Sequence, residues 1–175
     1  RRVSPGPGRV GAGGDPITAT TSRRLASPSS VNAAIKQIAD VMRRANYAGA
    51  LQYVPELSWI LFLRILDERE EIEAEEAAAL GIRFTPSLGA PFRWRDWAAK
   101  EVLTGDELLK FVSSEETVRP DATTGAGLIP YLRSFVGSAD PQRRVVGEVF
   151  SGVTNRMVSG YLLRSIGWQI DGIHF

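Results

Sequence analysis

The stretch Ala48–Gly81, AGALQYVPELSWILFLRILDEREEIEAEEAAALG, constrains the fold of this chain more than any other. Its middle, Leu57–Leu66, is apolar except for Ser58 and Arg64. On a helix, Leu57, Ile60, Leu61 and Ile65 mark one side, and Trp59, Phe62, Leu63 and Leu66 the adjoining side. A helix apolar around so much of its circumference has to be surrounded by other elements. Pro55 suits the first turn, where a missing N–H costs nothing, and Gly81 suits the position just past the end. The apolar run is too short, and too charged at both ends, to span a membrane, which takes about 20 apolar residues. It predicts the central helix of a soluble helical domain.

The rest of the chain supplies helices to enclose it. Ser29 or Ser30 caps a first helix, in which Val31, Ala34, Ile35, Ile38, Val41 and Met42 recur at helical spacing and Arg43 and Arg44 occupy the last turn. Thr104–Glu107 has capping-box spacing and opens a helix through Leu108, Leu109, Phe111 and Val112. Leu128–Val136 reads as a helix with Leu128, Ile129, Leu132, Phe135 and Val136 inward. Asp140-Pro141 starts another, whose face is Val145, Val146, Val149, Phe150 and Val153. A last helix holds Met157, Val158, Tyr161, Leu162 and Ile166 and ends at Gly167. Ser113–Gly127 is polar and reads as a loop. The expected fold is all-α: a compact bundle of about six helices around the central apolar one, with strands at most short.

Arg1–Ser30 is different. It is rich in Gly, Pro, Ser and Thr, and holds five arginines against the single acid Asp15. It reads as a flexible, disordered basic tail. The expected organisation is therefore a tail over 1–30, a helical domain over 31–167 and the start of a linker over 168–175.

Composition removes several kinds of chemistry. There is no cysteine, hence no disulfide and no thiolate nucleophile. His174 is the only histidine and lies one residue from the end, so neither a zinc site nor a Ser–His triad has its parts. The acidic run Asp67–Glu76 is interrupted by Arg69 as its only base. On an alanine-rich helix these carboxylates spread around the cylinder, whereas a hard-cation loop needs irregular backbone to converge its oxygens. They predict a solvated helix that would repel DNA. In Ile82–Lys100, Phe84, Phe92, Trp94 and Trp97 alternate with Arg93 and Arg95. Such interleaving can stack bases, but rings packed over a core with arginines on the rim is the favoured expectation. Trp59, Phe62, Leu63, Trp94 and Trp97 are thus the expected core or interface residues.

Several of these segments, taken in order, carry a resemblance. The lead helix Ile38–Asn46 (IADVMRRAN), the run Trp59–Glu70, the aromatic loop Ala90–Ala98 (APFRWRDWA) and the closing Trp168–Phe175 (WQIDGIHF) resemble the N-terminal domain of the modification subunit of type I restriction–modification systems. That subunit is an adenine-specific DNA methyltransferase, and the resemblance runs from about Val31 to Phe175. It implies an accessory domain that helps clasp DNA and assembles with the specificity and restriction subunits. It further implies a cytoplasmic parent that defends against foreign DNA and uses S-adenosylmethionine.

The fragment itself offers no donor or catalytic motif. Gly8–Gly14 is glycine-rich, but it lacks the preceding strand and following helix that a donor loop needs. Phe84-Thr85-Pro86 lies too early to match the start of the family's catalytic domain, and no Asn-Pro pair occurs to hold a flipped adenine. No catalytic, cofactor or metal residue is expected here. The alternative reading is a free-standing helical interaction module without enzymatic activity. A methyl-donor loop and an Asn-Pro-Pro-aromatic motif encoded past Phe175 separate the first reading from the second.

With the acidic run unsuited to phosphates, a DNA-facing surface has to lie elsewhere. Between Leu128 and Phe175, Arg133, Arg143, Arg144, Arg156 and Arg164 outnumber Asp140, Glu148 and Asp171. Arg143, Arg144, Arg156 and Arg164 are the candidate DNA contacts, the first two near a helix N-terminus that also favours a phosphate.

Overall fold

The computed structural model describes residues 53–175, together with residues 32, 33, 35, 36, 38–40 and 43. The tail over 1–30, the turn over 46–49 and the rest of the first expected helix lie outside the described residues. Those described between 32 and 43 are helical, with Ile38 fully buried and Asp40 paired to Arg43 at 3.0 Å.

Helix α1 runs over Tyr53–Ala79. Its end has a specific cause. Gly81 takes a positive φ of 68°, which lets the Ile82 N–H reach the Ala77 carbonyl at 2.8 Å and the Gly81 N–H reach Ala78 at 3.1 Å. Two otherwise orphaned carbonyls are satisfied, and the chain turns out of the helix. Beyond a cis Ala90–Pro91 bond comes one turn, α2 (Trp94–Trp97), and then α3 (Gly105–Ser113). The expected capping box opens α3: the Thr104 N–H donates to Glu107 Oε2 at 2.7 Å, and the Glu107 N–H to Thr104 Oγ1 at 3.4 Å. The polar loop after α3 contains a two-residue antiparallel pair, β1 (Thr117–Val118) and β2 (Thr124–Gly125), with Thr117 opposite Gly125. Helix α4 (Leu128–Arg133) passes into a 3-10 turn over Ser134–Gly137. Helix α5 (Pro141–Phe150) starts on Asp140, whose carboxylate accepts from the Gln142 N–H at 2.9 Å. Helix α6 (Gly160–Asp171) starts on Ser159, whose hydroxyl accepts from the Leu162 N–H at 3.2 Å. The fold is all-α, with six α-helices among the described residues from Tyr53 onward.

One apolar core joins these elements. Leu57, Trp59, Ile60 and Leu63 of α1 meet Phe111 and Val112 of α3, Leu128 and Leu132 of α4, Val146 and Phe150 of α5, and Leu162, Leu163 and Ile166 of α6. The 84–97 segment enters as an aromatic row. Phe92 stacks on Tyr131 at 3.7 Å between centroids, Trp94 meets Trp97 edge-on at 5.3 Å, and Trp97 tilts against Phe111 at 6.3 Å. Phe92, Trp94 and Trp97 are spent on the interior, so the aromatic loop closes the core, and only Phe84 stays partly exposed beside Arg93 and Arg95.

Several boundaries and faces differ from the sequence expectation. Val136 is 50% exposed, because the 3-10 turn advances three residues per turn and rotates it away from the face that Phe135 keeps. Val145 and Val149 are exposed. The buried stripe of α5 is the narrower Val146, Gly147 and Phe150, and the two valines flank an open groove facing Phe62 of α1. Ile65 of α1 is exposed and Phe62 only partly buried, so α1 is less enclosed than its composition suggests. The last helix begins after Met157 and Val158 and continues through Gly167 to Asp171. Gly167 sits inside the helix, and Gly172 caps it instead.

Candidate functional surface

The expectation of a solvated acidic run fails for two of its members. Glu68 and Glu70 are buried, as are Glu56 and Arg64 on the same helix. Spacing explains the placement. Glu56, Trp59, Leu63 and Glu70 follow one helical stripe, and Leu57, Ile60, Arg64 and Glu68 follow the next. The polar groups are therefore carried inward by the faces that build the core. The i,i+4 pair Arg64–Glu68, in line with Leu57 and Ile60, is the sequence signal of this burial, and it outweighs the usual link between charge and exposure.

Each buried charge has partners, as its burial requires. The Trp59 indole N–H donates to Glu56 Oε2 at 2.8 Å, and the Arg156 backbone N–H donates to Oε1 at 2.8 Å. Burial pushes the Glu56 carboxyl above its ordinary value, against the opposing pull of the Trp59 and Arg156 hydrogen bonds and the Arg156 charge. Glu70 Oε1 accepts from the Ser87 N–H at 2.8 Å and so ties the loop after α1 back onto it. Arg64 Nη2 donates to the carbonyls of Asp171 and Ile173 at 3.3 and 3.2 Å, and lies 3.9 Å from Glu68 Oε2. Asp67 binds Arg95 at 3.0 Å, a contact that raises the Arg95 pKa first of all through that hydrogen bond. Arg93 is held by Asp96 in the same way, its pKa also raised chiefly by the hydrogen bond. Glu56, Asp67, Glu68 and Glu70 of α1 thus serve as anchors for segments that pack on it. Among the described residues no group of three or more potential ligands could hold a metal ion.

The candidate arginines sit in different surroundings. Arg143 is half-buried, with its guanidinium 5.2 Å from the centroid of the Phe135 ring. Arg144 is exposed; its Nε donates to the Ser138 carbonyl at 3.1 Å and its Nη2 to the Ala139 carbonyl at 3.4 Å. Arg156 is exposed; its backbone N–H donates to Glu56, and its charge also acts on that carboxyl. Arg164 is half-buried on α6, within electrostatic reach of Glu107. Arg133 is used inside the fold, where its guanidinium donates to the carbonyls of Phe150 and Val153 and so satisfies the end of α5. The Arg143–Arg144 pair stands where α5 begins, beside backbone N–H groups of the first turn. Of the expected core residues, Trp59, Leu63, Trp94 and Trp97 are buried, and Phe62 packs edge-on against Phe150 at 5.8 Å.

The one strand among the described residues that leads through glycines into a helix, β2, belongs to an isolated two-residue antiparallel pair, and the Phe111 and Ser114 carbonyls already pack against Gly127, so that turn does not fit a methyl-donor loop, which follows an apolar strand. No helix among them is long and apolar enough to cross a membrane.

The chain matches the model of the HsdM N-terminal domain family over residues 31–115. It is similar to the type I restriction enzyme EcoEI methylase subunit of Escherichia coli, at 34% identity over 151 residues, which are 83% of this chain and 27% of that protein. Its fold is similar to the crystal structure of a restriction-enzyme modification subunit from Vibrio vulnificus YJ016, with a TM-score of 0.79 and 43% identity over 87% of this chain and 32% of that one. A second solved chain, from a study of complex assembly and conformational transition of the type I R-M system, gives a TM-score of 0.63 at 35% identity over 87% of this chain and 27% of that one. The chain therefore spans between 27% and 32% of the length of these relatives.

Proposed function

We propose that this domain is the helical front end of an adenine-specific, S-adenosylmethionine-dependent DNA methyltransferase subunit, and that it helps clasp DNA and assembles with the specificity and restriction subunits of a type I complex. The observation that carries this reading is the match to modification subunits over most of the chain, at 43% identity with a TM-score of 0.79. The donor site and the adenine pocket belong to the remainder of the parent, in the cytoplasm. The domain's own contribution is shape and charge. Its DNA contacts are Arg143, Arg144, Arg156 and Arg164. Arg144 is the most accessible of these beside Arg156, and Arg143 is pre-oriented by the Phe135 ring.

The test uses the assembled methyltransferase. Changing Arg143 and Arg144 together to Ala should weaken binding to cognate and random DNA alike, and flatten the dependence of log K on log salt by roughly one unit for each phosphate no longer neutralised. Binding titrations at several salt concentrations measure it. An unchanged slope in a normally assembled complex removes both arginines from the DNA interface.

A further inference from the structure

The last residues of the chain do not leave the bundle at the end of α6. They turn back across the middle of α1, more than a hundred positions earlier in sequence. Arg64 Nη2 holds the carbonyls of Asp171 and Ile173 at 3.3 and 3.2 Å. Glu68 Oε2 accepts from the Phe175 N–H at 2.9 Å, and its Oε1 lies 3.6 Å from His174 Nδ1. The Trp94 indole N–H fixes the Asp171 carboxylate at 2.8 Å. The Arg64 and Glu68 side chains are only 8% and 5% exposed. At 3.9 Å their mutual contact is too long for a close charge-assisted hydrogen bond, and Arg64 Nε has no hydrogen-bond partner among the described residues. Two buried charges thus take their close polar contacts from the backbone of one five-residue segment.

We infer that Arg64 and Glu68 are positioning residues that clamp Asp171–Phe175 onto α1 and so fix the direction in which the polypeptide leaves this domain. This rests on the function proposed above, in which the methyl-transfer part of the parent comes later in the same chain. An exit held on the domain's longest helix transmits the domain's orientation to the downstream polypeptide, whereas a free tether does not. Any movement of the domain towards DNA would then be coupled to the methyl-transfer part.

The test uses the full-length parent. Amide exchange is followed by mass spectrometry, and a pulsed dipolar distance is measured between a spin label at exposed Glu75 and one on the methyl-transfer part. Arg64→Met keeps the apolar stem and removes the donors. It should raise exchange over residues 172–175 roughly tenfold or more, leave Leu162–Ile166 protected, and broaden the distance distribution. Glu68→Gln, which keeps the volume, should give the same pattern with a smaller rise, and decides the matter if Arg64→Met does not fold. Unchanged exchange with a narrow distribution overturns the clamp. So does a rise spread equally over α6, which would make the pair a general fold element. A wild-type parent that fails to methylate DNA sinks the proposed function but leaves the exchange result standing.

Discussion

Gly160→Ala should cost more than about 3 kcal/mol, at or beyond the upper end of what core overpacking usually costs. A Cβ at Gly160 would overlap the carbonyl of Gly105, and both are backbone positions in the first turns of α6 and α3. No side chain can rotate away to make room, so the two helices have to separate. Their separation would uncover Leu108, Phe111, Leu162 and Ile166, all now buried. Gly167→Ala in the same helix is the control. Its Cβ would meet only Ala98 atoms at 3.8 and 4.0 Å, an ordinary contact, and alanine is the better helix former by about 1 kcal/mol. Thermal melts of the two variants should therefore move in opposite directions. Wild-type melting of Gly160→Ala would mean that α3 and α6 cross at a greater distance than the overlap requires.

The second large effect is expected at Trp59. Trp59→Ala removes a side chain that is 2% exposed and should cost about 3–5 kcal/mol from lost burial and the cavity together. It also strips the indole N–H from the buried Glu56 carboxylate, which keeps the Arg156 backbone donor. Leaving a buried acceptor short adds to the loss. Leu63→Ala, at 1% exposure, should cost about 2–5 kcal/mol. Phe62→Ala should fall below both, because Phe62 is only partly buried beside the α1–α5 groove. Denaturant unfolding of the three variants ranks them. Phe62→Ala as the most damaging would place the centre of the core on the wrong side of α1.

Helices are legible in the sequence where local rules dominate. The Thr104–Glu107 capping box, Asp140-Pro141 and Gly81 each carry their own hydrogen-bonding logic, and each stands where that logic puts it. Faces are less legible. Periodicity names the apolar stripe of α5 but not its width, so Val145 and Val149 read as inward although they are exposed. Gly167 reads as a stop in sequence, yet a glycine with helical backbone ends nothing. The buried charges are hardest to read. Spacing puts Glu56, Arg64, Glu68 and Glu70 on the core-facing stripes of α1, but the partners that satisfy them lie 17 to 109 positions away, and no local rule names those partners. For the surface, the arginines between Leu128 and Phe175 are countable in the sequence, but their neighbours are not. A count does not distinguish Arg133, used to satisfy the end of α5, from Arg144, which remains exposed.

Methyl transfer by the parent is the most direct test of the proposed function. The full-length subunit, assembled with its specificity subunit, should move labelled methyl groups from S-adenosylmethionine to adenine N6 in DNA. The same complex lacking residues 53–171 should still bind the donor, yet lose transfer at DNA concentrations that saturate the intact complex. An intact complex that transfers no label, or a truncated one that methylates with the same DNA dependence, would contradict that function.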